Sequence, residues 1–282
     1  PWNFPLAIPT GMVAAALVIL MSVPGLALFY GGLVQSKNVL SVLSQCVVIA
    51  CLMSVLWLAV GYSIAFGNGG DANLIWGGLS KAFLSGVEAS SATGTIPESV
   101  FFMFQMTFAI ITPALITGSF AERVKFTSYL LFMCLFSLLI YTPLAHWTWH
   151  PEGFLRQWGV LDFAGGSVVH MSAGFAALAG AYVLGKREHG THQPANIPFI
   201  LLGTGMLWFG WFGFNAGSAL AANGLAVQAF ATTNMATASA MITWVMFDAL
   251  VGRRISAMGA CIGAVVGLVA ITPAAGYVSV GQ

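Results

Sequence analysis

Asp162 and His170 bracket the run Asp162-Phe163-Ala164-Gly165-Gly166-Ser167-Val168-Val169-His170, at the head of an otherwise apolar segment. Between Phe163 and Leu184, His170 is the one side chain that titrates near neutral pH. At about 1.5 Å rise per residue, a helix through this run sets the imidazole roughly 12 Å below the carboxylate. Asp162 suits an N-cap, its side chain accepting the unpaired amides of Phe163 to Gly165. An imidazole inside a membrane-spanning helix is costly and marks a conduction path or relay. Neutral imidazole both donates and accepts, so it can hydrogen-bond a neutral guest or pass a proton.

Phe104 and Phe108 are four residues apart, as are Phe214 and Ser218, which puts each pair on one helical face. Trp149 closes another apolar run. Singly, these read as an aromatic packing pair, an interfacial anchor and a packing hydroxyl. Jointly they differ, because Phe108, Trp149 and Ser218 all fall near the same end of their spans. Ring faces attract a small, partly dehydrated cation by about 0.5–2 kcal/mol each, and a hydroxyl accepts one N–H. No ring of carboxylates accompanies them, so a metal cation finds little to replace its water. No metal site and no cofactor are expected. His146 is expected at the membrane interface, and His189 and His192 in a solvated loop.

These residues need helices to hold them, and the composition supplies membrane helices. Charged residues are 6% of 282 and hydrophobic ones 59%, with mean hydropathy +0.90, far from the roughly one-quarter charged content of soluble domains. Nine Lys+Arg against eight Asp+Glu give no reason to expect nucleic acid. Cys46, Cys51, Cys134 and Cys261 fall inside apolar runs without CxxC spacing, which predicts free, buried thiols.

Eight stretches approach the ~20 residues needed to cross a bilayer, near 10–34, 40–66, 98–119, 126–147, 162–185, 197–217, 225–250 and 256–276. An all-α, polytopic helical bundle follows, because backbone amides cannot stay unpaired in lipid. With residue 1 outside, the inner loops carry Lys37, Arg123, Lys125, Lys186, Arg187, Arg253 and Arg254, and the outer ones only Lys81 and Arg156. That bias predicts an external N-terminus. The long loop 67–97 is then external, and Trp2, Trp76, Trp147, Trp149 and Trp158 form an outer aromatic belt. Gly259, Gly263 and Gly267 make a ladder for close helix packing.

Ile111-Thr112-Pro113-Ala114 recurs as Ile271-Thr272-Pro273-Ala274, and the Gly-rich end of span 1 resembles that of span 6. Each pair of spans runs in opposite senses. This predicts an inverted five-helix repeat, with 10–185 as the first unit and 197–276 as the first three helices of the second, and a site at their interface.

Gly25 to Gly32, Ala121-Glu122-Arg123, Asp162 to His170 and Trp211 to Ser218 together resemble the ammonium transporter family (Amt/Mep/Rh) over the whole chain. Trp149 and Ser218 place the resemblance on the Amt branch. It implies one ammonium-transporter-like membrane domain over 1–282, trimers of eleven-helix protomers, and a narrow apolar pore in each. It implies Phe108, Trp149 and Ser218 as the ammonium recruitment site, Phe104, Phe108 and Phe214 as an aromatic gate, and His170 as the first of two pore histidines. Ammonium or ammonia is the implied cargo, with methylammonium as analogue. A PII-type cytoplasmic regulator and a plasma or inner membrane location come with it. The partner histidine belongs to a tenth helix, so the sequence is expected to be partial, ending before the ninth to eleventh helices. Trp149 is followed by His150-Pro151-Glu152, where family members often carry glycines.

Transport is the expected function, with capture and deprotonation of NH4+ before passage by His170. A membrane ammonium sensor signalling to a cytoplasmic domain is the alternative. An intramembrane enzyme is disfavoured, since HExxH, GxSxG and a second acid near His170 are lacking.

Overall fold

The computed structural model of the chain describes residues 7–187 and 193–282. His189, His192 and Trp2 lie outside the described residues. Among the described residues eight long helical segments follow one another: α1 (Ile8–Leu33), α2 (Ser36–Phe66), α3 (Glu98–Phe120), α4 (Phe126–Gln157), α5 (Gly166–Leu184), α6 (Ile197–Gly217), α7 (Gly224–Leu250) and α8 (Ala257–Ile271). The first six are long and apolar enough to cross a membrane. α7 has the length, at 27 residues, but Gln228, Thr232, Thr233, Asn234 and Thr237 make it less apolar. α8 is shorter than its expected span, because Pro273 cannot continue the amide ladder and the chain turns after Ile271.

Four stretches of wider turn interrupt the rods: Met21–Gly25 in α1, Trp57–Gly61 in α2, Ser137–Tyr141 in α4 and Gly166–Met171 at the head of α5. Pro24 sits inside the first, where its missing N–H and ring bulk are absorbed by the looser turn. α3 is the central rod, buried along most of its length, and it tolerates Pro113 in its interior. Beside that proline the Thr112 hydroxyl donates to the Phe108 carbonyl at 2.6 Å. Thr272, in the second copy of the tetrapeptide, donates to the Leu268 carbonyl at 2.7 Å.

α1 runs along α6 at the closest backbone approach that small residues permit. A Cβ on Gly203 would stand 2.4 Å from the Phe29 amide nitrogen, so only glycine fits. The Gly259, Gly263 and Gly267 face of α8 lies against Trp244 and Ala240 of α7.

At one end of the bundle, Glu122 ties three elements together. Its carboxylate accepts the Gln35 amide at 2.8 Å, the Asn38 side-chain amide at 2.9 Å and Arg187 at 3.2 Å. Arg123 donates to the Ser119 and Gly185 carbonyls at 2.6 and 2.8 Å.

At the other end, segment 67–97 folds over the bundle in short turns and a small hairpin, β1 (Ala92–Thr93) with β2 (Ile96–Pro97), paired Ala92 to Pro97 and Thr93 to Ile96. His146 departs from its expected interfacial position. It is fully buried, its ring nitrogens 3.0 Å from the Ala65 carbonyl and 2.7 Å from that of Asn73, so it pins this segment to α2 and α4. The free thiols also divide: Cys46 and Cys261 are buried, Cys134 half-buried, and Cys51 exposed on the outside of the bundle.

Candidate functional site

α3 brings Phe104 and Phe108 to its inner face one helical turn apart, and their rings meet edge to face at 4.9 Å. The long rod of α4 breaks at this level after Trp149, ahead of its last short turn Phe154–Gln157, and the Trp149 indole lies edge-on to Phe108 at 5.9 Å. The Trp149 N–H donates to the Asp162 carbonyl at 3.0 Å, which fixes the indole plane. Ser218 follows directly on α6 and donates its hydroxyl to the Phe214 carbonyl at 2.8 Å. With that proton committed, the serine oxygen keeps lone pairs to accept a further N–H.

Phe104, Phe108, Trp149 and Ser218 line a cavity of about 490 Å³ beneath segment 67–97. Gln105 lines it too, and its side-chain oxygen is buried without a partner among the described residues. Lys81, Glu98, Arg156 and Tyr62 complete its polar wall. In the sequence Lys81 and Arg156 count only as outer-loop charges, and nothing in the spacing of the five points to a shared wall. Glu98 stands in the first turn of α3, where an acid complements the helix dipole.

The floor of the cavity is a pair of rings. Phe108 stacks on Phe214 of α6 with centroids 4.1 Å apart and planes 15° from parallel. Both side chains are fully buried. The stacked pair is therefore Phe108–Phe214, with Phe104 set edge-on to Phe108 and against Gly217.

Beyond Phe214 stands His170, its ring 5.9 Å away, stacked on Trp211 at 5.3 Å. The Thr272 oxygen anchors this group. It receives the Trp211 N–H at 2.9 Å, gives its own proton to the Leu268 carbonyl, and lies 3.3 Å from His170 Nε2. Since the threonine proton is committed, the contact is a hydrogen bond only when Nε2 carries the imidazole proton. Nδ1 is then a lone-pair acceptor, buried and without a partner among the described residues.

Asp162 lies at the rim. Its carboxylate accepts four amides, Gly165 at 2.8 Å and Gly166 at 2.6 Å on one oxygen, Ser167 at 2.8 Å and Val168 at 3.1 Å on the other. Gly165 is among the expected partners, but Gly166, Ser167 and Val168 take the places of Phe163 and Ala164, because α5 begins only at Gly166. Gly165 turns the chain into it with φ of 99°, a conformation that suits glycine. Residues 162–165 are not helical, so the regular eight-residue helical step from Asp162 to His170 does not hold.

The chain matches the model of the Ammonium Transporter Family over residues 10–282. It is 49% identical over 271 residues to the ammonium transporter of Bacillus subtilis, a match covering 95% of this chain and 66% of that protein. Among solved structures, Saccharomyces cerevisiae Mep2 superposes with a TM-score of 0.90 at 36% identity, covering 98% of this chain and 62% of that one. A sensor Amt protein superposes with a TM-score of 0.89 at 31% identity, covering 99% of this chain and 71% of the sensor's. The chain thus spans just under two thirds of the length of the curated relatives it matches. On the family match over almost its entire length, this chain, a multi-pass membrane protein, belongs to the Ammonium Transporter Family, a family of transporters and not of enzymes.

Proposed function

We propose that the protein carries ammonium or ammonia across a membrane through the column Phe108–Phe214–His170. The single observation that carries this reading is the order of groups along that column. A cation-attracting aromatic cup with a free serine lone pair comes first, then a closed ring pair, then an imidazole with an unshared acceptor. Phe108, Trp149 and Ser218 recruit NH4+ by ring faces and one hydroxyl acceptor, with Phe104 and Phe214 beside Phe108 at the gate. The stacked pair excludes water, so the cation sheds its shell and gives one proton back to the water of the outer cavity before the neutral amine passes. The neutral guest then donates an N–H to Nδ1 of His170, the acceptor that Thr272 leaves open.

Several broader features belong to the same reading. The cup faces outward, because Lys81 and Arg156 line its cavity while Arg123 and Arg187 gather at the opposite end. The protein sits in the plasma or inner membrane as a homotrimer, open to a PII-type regulator on its inner face. The inverted repeat relates α1 to α6 and α3 to α8, supported by the matching threonine-to-carbonyl bonds of Thr112 and Thr272.

Reconstitution in liposomes tests the reading, with internal pH followed after an ammonia gradient is imposed. His170→Ala should lower the rate without unfolding the protein, and Trp149→Leu with Ser218→Ala should raise the half-saturation for methylammonium uptake. Unaltered kinetics in all three would remove the column from the mechanism. The likeness to a sensor Amt protein supports a second reading, ammonium sensing. A sensor binds methylammonium in the same cup yet shows no flux in liposomes.

A further inference from the structure

Glu98 is the acidic group of the cavity whose carboxylate is held by side chains alone, one of them a cation. Asp162, the other carboxylate in its lining, is committed to four backbone amides. Glu98 is almost wholly buried and holds two partners. Tyr62 donates its hydroxyl to Glu98 Oε1 at 2.8 Å, and the Lys81 ammonium pairs with the same oxygen. Lys81 Nζ also stands 5.8 Å from the centroid of the Tyr62 ring. That ring is held rigidly, edge-on to Trp57, Phe101 and Phe102 at 5.8, 6.5 and 5.2 Å. The lysine backbone is fixed as well, its amide donating to the Ser63 hydroxyl at 2.9 Å.

A carboxylate oxygen beside an aromatic face is a cage for a primary ammonium group. A lysine head is chemically an alkylammonium on a tether, close kin to methylammonium. We propose that Glu98 and Tyr62 form a second site for ammonium and small primary alkylammonium ions in the outer cavity, and that Lys81 is its built-in occupant. The proposal rests on the reading of that cavity as an ammonium vestibule. A bare carboxylate there would gather whatever cation is abundant. Filled by Lys81, it is neutral toward alkali cations and yields only to a guest with the same N–H donors. Arg156 and His150, which line the same cavity, contribute no carboxylate to compete for the guest.

The test is calorimetric titration of the purified protein with methylammonium chloride at fixed ionic strength. Lys81→Met should bind methylammonium roughly three- to tenfold more tightly than the parent, the scale of one added charge and ring contact. That gain should disappear in Lys81→Met/Glu98→Gln and persist in Lys81→Met/Trp149→Leu. Lys81→Arg, which keeps the pair, should titrate as the parent does. Thermal unfolding checks each variant, and Lys81→Gln, which can still donate to Glu98, stands in if Lys81→Met does not fold, with the same direction of change. No gain in either variant, or a gain that survives Glu98→Gln, overturns the proposal and leaves Lys81 a structural pin for segment 67–97. Failure of the recruitment reading shows elsewhere, as parent binding indifferent to Trp149→Leu.

Discussion

α3 and α5 both deliver side chains to the column, yet the bundle holds them in different ways. The most apolar stretch of α3 is 83% buried within the bundle, that of α5 only 22%. α3 is gripped along its length by neighbours on every side. α5 is gripped at its head, where Asp162 takes four amides and Phe163 donates to the Pro273 carbonyl at 2.9 Å. Further along, it touches α3 through small residues, with Ser119 donating to the Ala177 carbonyl and Gly180 packed on Phe120. Its other face presents Phe175, Leu178 and Tyr182 outward. The difference separates two ways of positioning a functional group in a membrane. Phe108 is placed by packing, whereas His170 is placed by the first turn of its helix and by Thr272.

The sharpest test of that contrast is Asp162→Ala. It strips the acceptors from four amides, of which Gly165, Gly166 and Val168 are buried, and should cost more than about 3 kcal/mol, since each unpaired buried donor costs about 1–3 kcal/mol. A fall in midpoint of thermal unfolding in detergent checks this, and Asp162→Asn, which keeps one acceptor, should lose less. If Asp162→Ala unfolds like the parent, α5 is not held by its head.

Phe108→Ala comes next, at about 3–4 kcal/mol for a buried ring removed from a packed rod. The same unfolding assay reads it, and this loss should spread over many neighbours without exposing α5 to proteolysis. Asp162→Ala, by contrast, should make the α5 head a cleavage site.

Ser218→Ala perturbs binding and leaves the scaffold alone. It removes one acceptor worth about 0.5–1.5 kcal/mol, and up to about 3 to a charged guest, so half-saturation for methylammonium should rise from twofold to over tenfold. An unchanged uptake curve would take the hydroxyl out of the cup.

The smallest effect belongs to the outward face of α5. Leu178→Ala should shift stability by less than about 0.5 kcal/mol, as expected of a side chain that fills no packed site. A larger loss would mean that this face is covered by protein in the assembled state.

Much of this was readable in the residues themselves. Phe104, Phe108, Phe214 and Ser218 announce their faces by a four-residue spacing, and the hydropathy runs place most helices to within a few residues, the far ends of α4 and α8 excepted. What escaped depends on geometry that hydropathy does not encode. The wide turns at 21–25, 57–61, 137–141 and 166–171 alter hydrogen-bond register inside segments whose apolar character stays constant. The late start of α5 followed from one of them and changed which amides Asp162 accepts. His146 gave no sign of burial, since its two carbonyl partners come from backbone far away in the chain. Lys81 and Glu98 are 17 residues apart across an irregular segment, so nothing in their spacing announces that they share an oxygen with Tyr62.

The stacked pair of Phe108 and Phe214 has an electrical consequence. Protons move through proteins by hopping along unbroken files of water, faster than any ion diffuses. Two ring faces 4.1 Å apart leave no space for a water molecule between them and offer no lone pair along the axis. The file is cut at that point, whatever its length on either side. On the proposed transport reading, a guest crosses this point only when the rings part, and no standing file of water crosses with it.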